Sequence, residues 1–399
     1  MGNVPTLRFP EFSGEWECST IGSEFELYSG NTPSRLDKEQ FNGNVNWISS
    51  GELKDHYIYD TKEKITEEAA SCNNLRLLPI GTFVIAIYGL EAEEVRGTGS
   101  VIQKKSTISQ ACMAFSSKGA ITNEFLYSWY KKHGNFIGLK YAQGTKQQNL
   151  SYDNISQFRI SYPAITEQKK LEDFISLIDK RIATQNKIIE DLKKLKSAIS
   201  KHLFARKDLL ETTICLSNIA TLKNGYAFQS GKYNALGKWK ILTITNVSGE
   251  RYINDEDCNC IINLPNDIQD HQVLKEGDIL ISLTGNVGRV SICKNGDYLL
   301  NQRVGLLQLA KNVNREFLYQ ILSSQRFESS MIACGQGAAQ MNIGKGDVES
   351  YVLPYSSNGN NILWVAKILH SYDECIINEL RRLTLLTMQK QYLLTQMFI

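Results

Sequence analysis

The chain has 399 residues, of which 42% are hydrophobic and 22% are charged, and its formal net charge is +2. A chain of this length and composition has room for two or three soluble domains with cores of their own. So small a net charge excludes a protein that coats nucleic acid by charge alone. It does not exclude one that reads DNA beside a more basic partner.

The sequence also favours a cytoplasmic protein that holds no metal. No apolar run is long enough to cross a bilayer, and the opening MGNVPTLRFPEF lacks the apolar region of a signal peptide. The nine cysteines are scattered, and only Cys258 and Cys260 lie close together. Because no second Cys or His pair stands at ligand spacing, reduced thiols are favoured over a zinc site.

In chain order, the patterns predict an α+β fold of two similar globular blocks and two long α-helices. The first block has β-rich runs at 45–48, 82–88 and 111–115 and a helical stretch near 124–132. The predicted parts are an arm at 1–15, a first block at 16–163, a first long helix at 164–207, a second block at 208–355 and a second long helix at 356–399.

Both long helices carry an apolar seam of period 3.5. Residues 166–204 contain no Gly or Pro, and apolar residues recur there at alternating spacings of four and three, which is typical of helix pairing of the coiled-coil type. Adding 194 to each position gives a second set of the same polarity, in which Gln185 matches Glu379 and Lys196 matches Lys390. The predicted seam consists of Leu171, Ile175, Ile178, Ile182, Ile189, Leu192, Ile199, Leu203, Val365, Leu369, Tyr372, Ile376, Leu383, Leu386, Leu393 and Met397.

The two blocks repeat each other more loosely than the helices do. PIGTFVIA at Pro79 matches KEGDILIS at Lys275, and the tetrapeptide EFLY occurs at 124–127 and again at 316–319. GTKQQNLS at Gly144 matches GAAQMNIG at Gly337, with Gly, Gln and Asn in register. Charged and aromatic residues between these landmarks differ, as expected of one scaffold that presents two different surfaces.

Chain geometry predicts that the helices run antiparallel. The connection at 205–212 has about eight residues and spans at most roughly 28 Å. The second block must therefore lie near the far end of the first helix, and the second helix must run back along the seam. We expect two blocks held apart by a rigid spacer and related by an approximate two-fold axis. Such a molecule suits a long regular ligand such as B-form DNA, on which sites one turn apart are separated by about 34 Å.

This arrangement resembles the specificity subunit of type I restriction–modification systems over essentially the whole chain. The resemblance is carried by the opening VPTLRFPEFSGEWE, by the G-x-x-Q-x-N-[LI] segment before each helix and by PAITEQKKLEDFISLID at Pro163. The second helix departs from the first by opening with NGNNILWV. A P-loop and an Asn-Pro-Pro-aromatic tetrapeptide of an amino-methyltransferase are both missing from the sequence, which fits a non-catalytic chain.

The resemblance implies that each block is a target-recognition domain for one half of a split site in double-stranded DNA. It also implies that the helices set the spacing and dock two methyltransferase subunits, which bind S-adenosylmethionine and methylate adenine. A restriction and translocase subunit would supply ATP- and Mg-dependent translocation and cleavage. We expect no cofactor, metal or catalytic residue in this chain.

Residue chemistry suggests which side chains contact DNA. Asn and Gln match the major-groove edge of adenine, and Arg and Lys match that of guanine, although most polar contacts with DNA reach phosphate. Gln147 and Gln340, like Asn149 and Asn342, recur in both blocks, so we favour turn-forming or backbone-positioning roles for them. The candidates are Arg35, Arg96, Lys104, Lys105, Lys146, Gln147 and Gln148 in the first block and Lys223, Tyr226, Gln229, Lys232, Asn286, Arg289, Arg303 and Gln340 in the second.

Two other functions fit the same pattern. One is a two-headed, non-catalytic scaffold that binds protein or carbohydrate on a helical spacer. The other is an enzyme whose site is assembled between the blocks. A sequence preference for duplex DNA in the presence of methyltransferase subunits would separate the first hypothesis from the scaffold. Methylation or cleavage of DNA by the chain alone would support the enzyme.

Overall fold

The computed structural model describes residues 3–89, 97–141, 148–336 and 341–399. These residues form two compact units. Unit 1 comprises 1–184 with 382–399, and unit 2 comprises 185–381. The division runs through both long helices rather than at their ends, so each unit contains one block and part of each helix. The content of helices and strands confirms the predicted α+β class.

Unit 1 holds the first twelve strands and the first four helices, together with the start of a fifth helix. The strands are β1 (Glu17–Thr20), β2 (Phe25–Ser29), β3 (Val45–Ile48), β4 (Tyr57–Ile58), β5 (Lys64–Ile65), β6 (Phe83–Ala86), β7 (Tyr88–Gly89), β8 (Gly99–Ile102), β9 (Ser106–Ile108), β10 (Cys112–Ser117), β11 (Gln148–Asn149) and β12 (Arg159–Tyr162). The helices are α1 (Ile21–Glu24), α2 (Glu67–Cys72), α3 (Asn123–Tyr141), α4 (Tyr152–Ser156) and α5 (Ile165–Ala205).

Unit 2 holds the remaining strands and helices, together with the second part of α5. The strands are β13 (Thr212–Cys215), β14 (Ala220–Asn224), β15 (Trp239–Leu242), β16 (Asn259–Ile261), β17 (Ile279–Ser282), β18 (Val290–Ile292), β19 (Tyr298–Leu300), β20 (Val304–Leu309) and β21 (Val352–Tyr355). The helices are α6 (Arg315–Leu322), α7 (Gln325–Gly335), α8 (Lys345–Glu349) and α9 (Gly359–Met397), and the last part of α9 belongs to unit 1.

The two blocks share one sheet plan. The main sheet has the order β2-β10-β6-β8-β4 in unit 1 and β14-β20-β17-β18 in unit 2. Each unit also has a three-stranded sheet with one parallel pair, β3 with β9 and β15 with β19. Gly30 and Gly225 follow equivalent strands, and an added Cβ would collide with the carbonyl of Ile108 or Asn301. Only glycine permits this close backbone approach.

The long helices pair antiparallel within each unit. In unit 2, Gln185 donates to the Glu379 carboxylate at 2.6 Å, and Lys196, farther along α5, meets Asp373, which precedes Glu379 in α9. In unit 1, Lys390 donates to Asp179 at 2.6 Å. Every residue of the predicted seam is buried or half-buried. Among the described residues, no helix is long and apolar enough to span a membrane.

Each block packs its core directly on both long helices. In unit 1, Phe83, Phe115 and Phe125 share one buried cluster with Leu171 of α5 and Met397 of α9. In unit 2, the corresponding cluster joins the block to Leu203 of α5, to Leu210 of the connection that follows it, and to Val365 and Leu369 of α9. Burying large apolar side chains at this boundary attaches each block firmly to its part of the helix pair.

Candidate nucleic-acid interface

Four loops of the second block meet at one end of its main sheet. The backbone N–H of Gln302 donates to the Tyr226 carbonyl at 2.9 Å, and that of Leu283 donates to the Arg303 carbonyl at 3.0 Å. The N–H of Gly285 reaches the Met341 carbonyl at 2.9 Å. We call the four loops that contain residue 226, residues 283–286, residues 302–303 and residue 341 the loop cluster of unit 2. It brings the predicted residues Tyr226, Asn286 and Arg303 together on connected backbone.

A cavity of about 430 Å³ opens beside the loop cluster and is lined by three predicted residues, Tyr226, Gln229 and Lys232. The rings of Tyr226 and Phe228 lie 4.9 Å apart, and the Tyr226 hydroxyl donates to Asp267 at 2.7 Å. Further lining residues are Tyr233, Asn234, Asn263 and Asn266. Aromatic faces, amide groups and one ammonium group can hold the sugar, phosphate or base edge of a nucleotide.

The first block uses its predicted residues differently. The Arg35 guanidinium lies 4.6 Å from the Phe41 ring centre and 5.2 Å from that of Trp47, and it forms hydrogen bonds of 2.5 and 2.9 Å with Glu63. Hydrogen bonding to the Arg35 guanidinium lowers the pKa of the Glu63 carboxyl group. Lys104 lies 3.6 Å from Asp60. Exposed pairs of this kind contribute little stability, so phosphate can replace the carboxylate at either cation.

The remaining predicted DNA contacts divide into three groups. Arg289 is held by Glu328 and by the Ser248 carbonyl, both at 3.4 Å. Lys223 is half-buried on β14, Lys105 is exposed, and Gln148 lies in β11. Arg96, Lys146, Gln147 and Gln340 lie outside the described residues.

The repeated asparagines lie where the segment before each long helix rejoins its block. Asn342 accepts a hydrogen bond of 3.0 Å from the Thr284 hydroxyl within the loop cluster of unit 2. Asn149 pairs with Tyr88 between β11 and β7. These contacts place both residues in β pairing with the framework of their block rather than in turns.

Sequence reasoning missed a buried group of charges where each block meets the helices. In unit 2, Arg251 binds Glu316 at 2.6 Å and Asp373 at 2.9 Å, and Lys196 binds the same Asp373 at 2.5 Å. The side chains of Arg251 and Asp373 are each 8% exposed. Burial opposes the charge of Arg251, but the hydrogen bond with Glu316 and the nearby carboxylates outweigh burial and raise its pKa. We call these four residues the junction cluster of unit 2.

The junction cluster of unit 1 consists of His56, Glu124, Asp179 and Lys390. His56 Nε2 lies 2.8 Å from Glu124, and its Nδ1 lies 3.4 Å from Asp179, which also binds Lys390 at 2.6 Å. Two sequence signals were available for it. The repeated EFLY contains Glu124 and Glu316, and the offset of 194 that relates the helices also relates Asp179 to Asp373.

Comparison with known proteins agrees with this architecture. The family model described as the type I restriction modification DNA specificity domain matches residues 13–194 and again 211–387. The chain therefore belongs to this family and contains two copies of its domain, which makes each block a target-recognition domain.

Relatives and solved structures extend the match over nearly the whole chain. The MjaVIII type I restriction enzyme specificity subunit of Methanocaldococcus jannaschii is 26% identical over 82% of this chain and 78% of its own length. The EcoR124I/EcoR124II specificity subunit of Escherichia coli is 28% identical over 51% of this chain and 50% of its own. A crystal structure of a type I S subunit from M. genitalium shares the fold, with a TM-score of 0.56, 17% identity and coverage of 99% of both chains.

Proposed function

We propose that this chain is the non-catalytic subunit that selects the DNA sequence for a type I restriction–modification complex. Each block reads one half of a bipartite site in double-stranded DNA, and the paired helices set the distance between the halves. The observation that carries this proposal is that one chain holds two copies of the family domain on a shared sheet plan but with different side chains at matching positions.

The contrast between Arg35 and the cavity of unit 2 supports two different readouts. Arg35 projects one guanidinium from an aromatic stack and suits a guanine edge or a phosphate. Gln229, Lys232 and the neighbouring asparagines offer several donors and acceptors at another spacing. Different donor patterns on one scaffold allow the halves of the site to differ in sequence.

The remaining activities belong to partner subunits in this proposal. Two methyltransferase subunits dock on the helix pair, bind S-adenosylmethionine and methylate adenine. A restriction and translocase subunit binds ATP and Mg²⁺ and cuts DNA. The complex acts in the cytoplasm, and the net charge of +2 on this chain requires those partners to supply much of the attraction to phosphate.

The test is selection of bound duplexes from a random-sequence library by this chain assembled with its methyltransferase subunits. We expect a consensus of two specified halves separated by an unspecified gap of fixed length. Exchanging residues 16–163 for the same block of a relative should change one half only. A complex that binds all duplexes equally would exclude the proposal, and methylation or cleavage by the chain alone would favour an enzyme.

Two matched variants test whether the cavity beside the loop cluster of unit 2 contacts DNA. Lys232→Ala removes a cavity ammonium group and should weaken DNA binding and lower the salt dependence of log Kd by about one unit. Lys311→Ala removes another exposed lysine charge beyond the opposite end of β20 and should leave both quantities unchanged. Equal effects of the two changes would show that this end of the sheet does not face DNA.

A further inference from the structure

The two junction clusters match residue for residue except at one position. The helix pair contributes an aspartate and a lysine in each unit, at positions related by the offset of 194. The EFLY helix contributes a glutamate that binds the block's cation and a tyrosine ring that stacks on it. The block contributes that cation, which is His56 in unit 1 and Arg251 in unit 2.

His56 is enclosed so that both ring nitrogens face carboxylates. Its ring lies between those of Tyr57 and Tyr127, at 4.0 and 3.9 Å, and its side chain is 15% exposed. A neutral imidazole has only one N–H, so it can donate to Glu124 or to Asp179 but not to both. The doubly protonated ring keeps its hydrogen bond to Glu124 and also places its positive charge 3.4 Å from the Asp179 carboxylate, and it thereby connects the block and α3 to α5.

The other charged groups around His56 come from three helices. Lys131 of α3 lies 5.3 Å from the Tyr127 ring centre, and burial lowers its pKa to about 8. Glu172 of α5 stands near Glu124, and burial raises the pKa of Glu172. Lys390 of α9 shares the Asp179 carboxylate. Burial also opposes the charge of His56, but the Asp179 and Glu124 carboxylates outweigh it and raise its pKa above 6.5.

The contacts of Arg251, the equivalent residue in unit 2, do not depend on pH, because arginine stays charged throughout the accessible pH range. His370 lies 3.6 Å from Glu316, but it is 43% exposed, and Glu316 also binds Arg251 directly. The contacts between Arg251 and the two carboxylates do not involve His370.

We propose that His56 is a positioning residue that fixes the first block on the helix pair only when it is protonated, so that reading of one half-site weakens as the pH rises while Arg251 keeps reading of the other half constant. This inference rests on the function proposed above. Because the pKa of His56 is raised in the folded chain, its contribution is complete below pH 6.5 and is lost as the pH rises through the raised value.

The test measures discrimination at each half-site by the assembled complex between pH 6 and 9. Discrimination is the ratio of Kd values for the selected duplex and for a duplex with one base pair changed in one half. Exchange of residues 16–163 first assigns the half read by the first block. We expect discrimination at that half to fall roughly three- to tenfold over this range, which is the order expected for the loss of one hydrogen-bonded contact, while discrimination at the other half stays constant.

Reciprocal substitutions make the test specific. His56→Arg should abolish the pH dependence at the first half, and Arg251→His should introduce one at the second. Partner subunits are identical in all complexes, so their own titration cancels. A parallel decline at both halves, or a decline that persists in His56→Arg, would overturn the inference. A complex without sequence preference at any pH would instead overturn the proposed function. If Arg251→His fails to fold, as its thermal unfolding would show, the His56→Arg result alone decides.

Discussion

The two units join the start of the block to the pair of long helices in different ways, and we call this junction the closure of the unit. In unit 2, α5 runs through a short connection directly into β13, and Leu210 of that connection is buried. The connection also meets α9, since Asn361 donates to the Leu209 carbonyl at 3.1 Å. At the equivalent position in unit 1, the described residues do not run continuously from a long helix into the block. It brings together two segments, 3–16 and 393–399, that the rest of the sequence separates.

Unit 1 replaces that covalent link with polar and aromatic contacts. The N–H of Leu7 donates to the Gln396 carbonyl at 3.0 Å, and Phe9 meets Phe174 edge to face at 5.7 Å. Arg8 forms hydrogen bonds of 2.8 and 2.7 Å with the Glu167 carboxylate, which is 2% exposed.

The last residues of the sequence complete this closure. Phe398 lies in the main core of unit 1 beside Phe125, and the Ile399 oxygen accepts hydrogen bonds from Trp129 and His133. Joining segments so distant in sequence costs chain entropy that a short covalent connection does not. We infer that unit 1 depends on these contacts more than unit 2 depends on their counterparts, and three changes test this comparison.

The largest effect is expected for Phe398→Ala. Phe398 is 2% exposed and its ring centre lies 5.1 Å from that of Phe125. Removing a buried aromatic ring costs about 3–5 kcal/mol of unfolding free energy. Hydrogen–deuterium exchange should show faster exchange in α3 of unit 1 than in the wild type, and unchanged exchange in α6 of unit 2. Tyr392→Ala, at a position 61% exposed in the last part of α9, is the control and should have little effect. Equal loss of protection in both units would contradict the comparison.

A smaller loss is expected for Arg8→Ala, which leaves the buried Glu167 carboxylate without its cation. We expect about 2 kcal/mol, less than for a fully buried pair because Arg8 is partly exposed. Asn361→Ala, the matched change in unit 2, removes a neutral hydrogen bond and should cost about 1 kcal/mol. Denaturant unfolding measures both. Adding Glu167→Gln to Arg8→Ala should recover part of the loss, and no recovery would show that the charge of Glu167 is not the cause.

Acid should also weaken the closure of unit 1. The expected loss of stability is small at pH 6 and grows as the pH falls towards 4. Burial and the neighbouring Lys132 lower the pKa of His133 to about 4, so the folded chain holds this residue neutral. Its contribution is therefore present above pH 6.5 and is lost as the pH falls through 4. His133→Gln should reduce the loss of thermal stability of unit 1 between pH 6.5 and 4. The same acid sensitivity in His133→Gln would exclude this origin.

Several features could be predicted because their signals are local in the sequence. The apolar period of 3.5 predicted a first long helix at 164–207, and α5 spans Ile165–Ala205. The second long helix was predicted from 356, and α9 begins at Gly359. The EFLY and glycine landmarks predicted two related blocks, which the matched sheet orders and the two copies of the family domain confirm.

The surroundings of individual side chains could not be predicted in this way. Arg35 was chosen for its chemistry, and nothing in its neighbouring residues indicates that Phe41, Trp47 and Glu63 surround it. His56 appeared isolated, because Glu124 lies 68 residues away and Asp179 lies on yet another element. A single sequence carries periodicity within elements but not the distances between them.

The sequence by itself therefore determined the repeated plan, the two long helices and the seam along which they could pair, since each depends on spacing within one segment. Only the tertiary structure decided that each unit takes part of both helices, that segments 3–16 and 393–399 close unit 1, and that a histidine stands where the other unit has an arginine. These outcomes depend on which charged and apolar groups the folded chain brings within contact distance, because burial makes each such contact far stronger than it is in water.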